Sequence, residues 1–169
     1  MTTSARDFGL LALRFGVGAP MVQAGLRKFV DFDTAVGYME GGGWSMPTLA
    51  AFMVSFAETV GGLGLIVGLL TPLAAMAVVA AMIDAWLVNV SGAPFWSDPF
   101  NLPFVLGFGA VALLLTGAGV YSMDERLWRR ASWPRLVAVT LLVLAIVAAV
   151  ATWVVLNGTN PIHLTAPAS

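Results

Sequence analysis

The sequence predicts an all-α membrane protein: a four-helix transmembrane bundle followed by a fifth, C-terminal transmembrane helix. Three observations predict it. Hydrophobic residues fill 59% of the 169 positions and charged residues only 10%, whereas a soluble domain carries about a quarter charged residues. Apolar runs of bilayer-crossing length alternate with turn-forming segments. The few charges inside those runs stand alone and deep. A chain of this length makes one compact bundle. It has no cysteine, which removes disulfides, thiol redox chemistry and iron–sulfur ligation, and its one histidine, His163, stands in the tail. The net charge of −1 gives no reason to expect a nucleic-acid partner.

The first apolar run covers about residues 8 to 29. Arg14 interrupts it and no small-residue cleavage site follows, so it reads as a retained helix rather than a signal peptide. On a helical projection Arg14, Gly18, Met21, Gly25 and Lys28 share one stripe and Gln23 points away. Arg27 and Lys28 suit interfacial anchoring. Arg14 lies too deep for that, and a charge at such depth faces the bundle interior with a partner. Residues 30 to 48 connect to the second span. There Asp33 is placed to cap a short helix, Thr34 to Glu40, that Gly41-Gly42-Gly43 ends. Tyr38 and Trp44 suit the headgroup level, and Pro47 suits a first helical turn.

The second span, about 49 to 70, contains the stretch around which the chain is organised: A-E-T-V-G-G-L-G-L-I-V-G-L-L-T-P, from Ala57 to Pro72. Ala57, Gly61, Gly64 and Gly68 form a smooth seam, which permits close helix packing in lipid. Glu58 sits beside that seam. The Thr71-Pro72 turn leads into the third span, about 72 to 91, where Asp84 shares a stripe with Ala77, Ala80 and Val88. An aromatic loop, residues 92 to 101, precedes the fourth span, about 102 to 118, with Asn101 as cap and Pro103 in the first turn. From Tyr121 to Trp133 the pattern changes. Ser122 and Glu125 read as a capping box, and Met123, Leu127, Trp128 and Ala131 can share a face opposite Arg126, Arg129 and Arg130. That predicts a short helix lying on the membrane surface, attracted to anionic lipid. The fifth run, 136 to 156, has neither charge nor glycine, and residues 157 to 169 form a polar tail.

Five spans place Arg6, Arg126, Arg129, Arg130 and Arg135 on one side and Arg27 and Lys28 on the other. The basic excess predicts a plasma-membrane protein with a cytoplasmic N-terminus and an exterior C-terminus. In that frame Glu58 and Asp84 both lie roughly 18 Å from the inner boundary, and Arg14 starts about 10 Å in. The sequence therefore predicts that Arg14, Glu58 and Asp84 converge on one region. Their charges sum to −1, which a proton on one acid balances, or Lys28 reaching in. A structural latch accounts for Arg14 with one acid and leaves the second without a use.

Several segments resemble the DoxX/DoxD family: L-A-L-R in the first span, G-L-R-K-F at its end, A-V-G-Y-M-E, then F-A-E-T-V-G-G-L-G-L-I-V-G-L-L-T-P, and G-A-G-V-Y-S-M-D after the fourth span. The resemblance runs over about residues 8 to 125 and implies a four-helix bundle of DoxX type. A short amphipathic segment follows to 133, and 136–156 is an addition. The family's arginine, lysine and glutamate match Arg14, Lys28 and Glu58. Asn89 stands near where many relatives carry a histidine, and Asp84 is not part of the pattern. Family members are linked to quinone-coupled oxidation of sulfur compounds, as the small subunit of thiosulfate:quinone oxidoreductase, and to membrane complexes with soluble oxidoreductases.

The residues allow three functions. The first is a quinone-associated redox subunit in which Arg14, Lys28 and Glu58 hold a membrane quinone. Arg14 then donates to its carbonyl oxygen, and Glu58 or Asp84 carries protons. No span offers a histidine to a haem and no metal site is indicated, so the electrons would belong to the quinone or to a partner subunit. The second is a non-catalytic scaffold recruiting soluble oxidoreductases through its basic helix. The third is a small proton-coupled transporter using the same acids.

Overall fold

The computed structural model describes residues 4–89 and 101–159. Every regular element among them is helical: α1 (Ala5–Val30), α2 (Phe32–Gly41), α3 (Pro47–Val67), α4 (Thr71–Asn89), α5 (Asn101–Thr116), α6 (Met123–Trp128) and α7 (Arg135–Thr152), which a π-helical turn, Trp153–Asn157, extends. The helices α1, α3, α4 and α7 with its extension are long and apolar enough to cross a membrane, and α5 is a shorter apolar helix of 16 residues. The aromatic loop expected at 92–101 lies, apart from Asn101, outside the described residues. So do His163 and all of the tail beyond Thr159.

Packing runs around a ring. α1 packs on α3 and α5, and α4 packs on α3 and α5 as well, so α1 and α4 lie on a diagonal. The core uses small side chains, with Ala75, Val78, Ala110 and Leu113 fully buried. Large apolar residues such as Phe15, Phe52, Phe56 and Leu63 point outward. That inversion suits a bundle whose solvent is hydrocarbon. α7 lies against α4 and α5, presenting the buried stripe Ala138, Ala145 and Ala149.

Glycines set the close approaches of α3, on two faces rather than one. Toward α4, a Cβ on Gly61 would lie 3.1 Å from Val78 Cγ2, and one on Gly64 would lie 2.7 Å from Ala74 Cβ. Toward α1, Gly18 and Gly62 face each other backbone to backbone, with the Gly18 carbonyl 2.8 Å from where a Gly62 Cβ would sit. Gly25 meets Thr59 in the same way. The expected seam thus holds for Gly61 and Gly64. Its neighbour, Gly18–Gly25 on Gly62–Thr59, follows from the α1 stripe already noted.

Several local expectations need correction. Helix α3 ends at Val67, three residues before the expected limit, because Gly68 takes the left-handed conformation (φ 69°) as its C-cap. Asp31, not Asp33, caps α2, accepting from the Thr34 amide. Trp44 does not face outward toward headgroups: it is buried within the protein, with its ring 5.6 Å from that of Trp153. Ser45 donates from its backbone N–H and its hydroxyl to the Leu156 carbonyl, and Asn157 Nδ2 donates to the Gly42 carbonyl. The extended α7 is therefore tied to the α2–α3 connection. Only half of the Ser122–Glu125 capping box forms, as the Glu125 amide donating to Ser122 Oγ.

Candidate functional site

The buried charges form two groups at different places, and the first holds Arg14. This side chain is 1% exposed. Its Nε donates to the Leu65 carbonyl at 2.8 Å and Nη2 to Ile66 at 2.5 Å, while Nη1 donates to Tyr121 at 2.7 Å and Ala118 at 3.2 Å. Leu65 and Ile66 belong to the last turn of α3, where carbonyls lack i+4 donors, and the Leu65 carbonyl otherwise accepts from the Gly68 amide. A cation there also suits the helix dipole. The expectation that Arg14 converges with Glu58 and Asp84 is corrected: four of its five donors go to backbone carbonyls at the α3 C-terminus and at Ala118 and Tyr121.

Asp124 does the complementary work across the same turn. It is fully buried, and its oxygens accept from the Leu70 and Thr71 amides at 2.7 and 3.0 Å and from Trp133 Nε1 at 3.2 Å. A carboxylate at the start of α4 satisfies orphan N–H groups and suits the positive helix end. It also supports Leu70 at φ 47°, a conformation unusual for leucine. Arg14 and Asp124 thus clamp the α3–α4 turn from its two sides. Sequence reasoning missed Asp124 because three arginines around it made the segment read as solvated. Its signal was the Y-S-M-D motif.

The second group lines a cavity of about 1270 Å³ among α1, α2, α3 and α4. Lys28 Nζ donates to Glu58 Oε2 at 2.5 Å, with the lysine side chain 30% exposed and the glutamate 6%. The lysine therefore reaches inward instead of anchoring at the interface, as the charge balance allowed. Asp84 lines the same cavity from α4, and its Oδ1 is buried with no hydrogen-bond partner. The walls beside these groups are small and apolar: Ala57 from α3, Ala77, Ala80 and Ala81 from α4, and Val22 and Leu26 from α1. The stripe of Ala77, Ala80, Asp84 and Val88 thus faces the cavity as the spacing predicts. Of the four expected site residues, Lys28, Glu58 and Asp84 line the same cavity and Arg14 does not.

The chemistry available in this cavity is specific. A shared cation and carboxylate offer a hydrogen-bond donor beside an acceptor. A second carboxyl, across the space on α4, can hold or release a proton. Alanine-rich walls leave room for a flat apolar body to lie against the helices.

Fold and cavity define a multi-pass helical membrane protein with a polar cluster in an apolar intrabundle cleft. The DoxX family model matches residues 9–90, the stretch from α1 through α4, which supports a DoxX family assignment. The matched segment contains Lys28, Glu58 and Asp84 of the cavity as well as Arg14; Asp124 and α7 lie beyond it. No curated protein and no solved structure matches the chain.

Proposed function

We propose that the cavity binds a membrane quinone and that the protein serves as the quinone-associated subunit of a plasma-membrane redox complex. The observation carrying this reading is that the Lys28–Glu58 pair and the unpartnered Asp84 oxygen line one apolar cleft. The residues fit the group. A quinone needs a flat apolar slot, a donor to a carbonyl oxygen and a proton source near each oxygen it reduces.

A bound quinone supplies two-electron chemistry, becoming a quinol on taking two electrons and two protons; the electrons come from a redox partner protein. Lys28 donates a hydrogen bond to a carbonyl oxygen, the role the sequence assigns to Arg14. Glu58 and Asp84 each hold or deliver one proton, on α3 and α4 respectively. The alanine walls exclude water from the ring. In the membrane the N-terminus and α6 face the cytoplasm, following the excess of arginine at that end.

The test is equilibrium binding of a short-chain quinone to the purified protein in lipid nanodiscs. Micromolar binding that weakens at least tenfold in Asp84→Asn and in Lys28→Met supports the reading. Absence of binding to the folded protein would overturn it.

A further inference from the structure

The end of the molecule that carries α6 holds a second cavity, of about 720 Å³. Leu11 and Arg14 of α1, Ile66 and Val67 of α3, and the segment from Val120 to Arg129 bound it. Three arginines, Arg14, Arg126 and Arg129, line it against a single carboxylate, Glu125. Asp124 is close in sequence, yet its oxygens are already engaged by the Leu70, Thr71 and Trp133 N–H groups. Asp124 keeps its charge in those bonds, so three arginines stand against two carboxylates and the cavity carries a net positive charge.

Arg14 contributes more than charge. A guanidinium has five N–H donors, and four of those on Arg14 go to the carbonyls of Leu65, Ile66, Ala118 and Tyr121. One donor on Nη2 remains, on a side chain screened from bulk water. Arg126 and Arg129 at the rim are exposed, and Arg129 is fixed as the left-handed C-cap of α6, with its amide bonded to the Asp124 and Glu125 carbonyls. Phe8, Tyr121, Leu127 and Trp128 around this end are exposed, which suits the boundary between headgroups and acyl chains.

We infer that this cavity is a binding site for the phosphate headgroup of an anionic phospholipid. Arginine pairs well with phosphate oxygens because its planar fork donates two parallel hydrogen bonds. The apolar wall of Leu11, Ile66 and Val67 suits the upper part of an acyl chain, and it separates a lipid from free phosphate, which has no use for it. The lipid ties α6 to the ends of α1 and α3, and so reinforces the turn that Arg14 and Asp124 clamp. This site opens apart from the quinone cavity, with which it shares only Ile66 as a wall.

The experiment measures thermal unfolding of the full chain in phosphatidylcholine nanodiscs, then in nanodiscs in which a third of the lipid is phosphatidylglycerol. Native mass spectrometry counts retained lipid in parallel. For the natural sequence, phosphatidylglycerol raises Tm by several degrees and is retained at one molecule per chain. In the double variant Arg126→Gln/Arg129→Gln, the increment and the retained lipid both disappear, while Tm in phosphatidylcholine stays within a degree or two. Equal Tm in the two lipids, or unchanged retention by the double variant, would overturn the site. Glycerol phosphate stabilising the protein as strongly as phosphatidylglycerol at equal concentration would overturn its assignment to a lipid.

Discussion

Lys28 Nζ and Glu58 Oε2 lie 2.5 Å apart, joining the last turn of α1 to the middle of α3. Theirs is the single ion pair formed among the described residues. It stands on the wall of the large cavity, and its two ends are unequally wet. The pair therefore breaks asymmetrically. Lys28→Met strands a glutamate with almost no access to water and costs about 3 kcal/mol, the lower end of the range for an uncompensated buried charge. Glu58→Leu strands a lysine that keeps a path to water, and costs about 1 kcal/mol. Thermal unfolding in one detergent gives this order; equal losses would mean that the two charges are equally buried.

Arg14 and Glu58 share no partner, so their effects on stability should add. A latch between them would instead make Arg14→Met/Glu58→Leu milder than Arg14→Met alone, since removing both partners of a buried pair is often near neutral. The carbonyl contacts of Arg14 predict no such rescue. Arg14→Met strips the charged donor from the Leu65, Ile66, Ala118 and Tyr121 carbonyls and costs about 3 kcal/mol or more, and the double variant costs the sum of the two single changes within about 0.5 kcal/mol. Arg14→Lys recovers little, because an ammonium cannot reach carbonyls from two separate segments at once. A double-mutant cycle on unfolding midpoints reads the additivity directly.

The positions of α1, α3, α4 and α7 were legible from hydropathy alone, because a run of apolar residues near twenty long has few other uses. The stripe carrying Lys28 and the stripe carrying Asp84 were legible from helical spacing. Arg14 was correctly placed inside the bundle, but its partner was not. The sequence shows which side chains carry charge and not which backbone carbonyls lack donors, and the α3 C-terminus is marked only by Gly68. Asp124 was hidden among arginines for the same reason: its partners are amides. The docking of Trp153 on Trp44 joins segments far apart in the chain, which no local pattern encodes.

The two glycine faces of α3 give a graded series. Gly64→Leu should disrupt packing against α4, because even a Cβ there lies 2.7 Å from Ala74 Cβ. Gly25→Ala should be costly for a single methyl group, since its Cβ would come within 2.7 Å of the Thr59 backbone nitrogen. Gly16→Ala has nothing within 4 Å and should be neutral or stabilising by up to about 1 kcal/mol, the helix-propensity gain. Tm values in that order support the packing; a loss at Gly16 equal to that at Gly25 would refute it.

Asp84 should behave as a residue kept at a cost. Its buried Oδ1 has no hydrogen-bond partner, and a buried unsatisfied polar atom is worth about 1–3 kcal/mol of destabilisation. Asp84→Leu should accordingly raise Tm while weakening quinone binding. A fall in Tm would show that the carboxyl supports the fold instead.

The central claim is that Lys28 and Glu58 are held for a ligand rather than for the fold. Quinone binding by Lys28→Met/Glu58→Leu, compared with its unfolding midpoint, tests this most directly. Replacing both partners with apolar groups of similar size should return stability to within about 1 kcal/mol of the natural protein. The account predicts that this well-folded double variant binds a short-chain quinone at least tenfold more weakly. Binding as tight as that of the natural protein, with the fold equally intact, would contradict it.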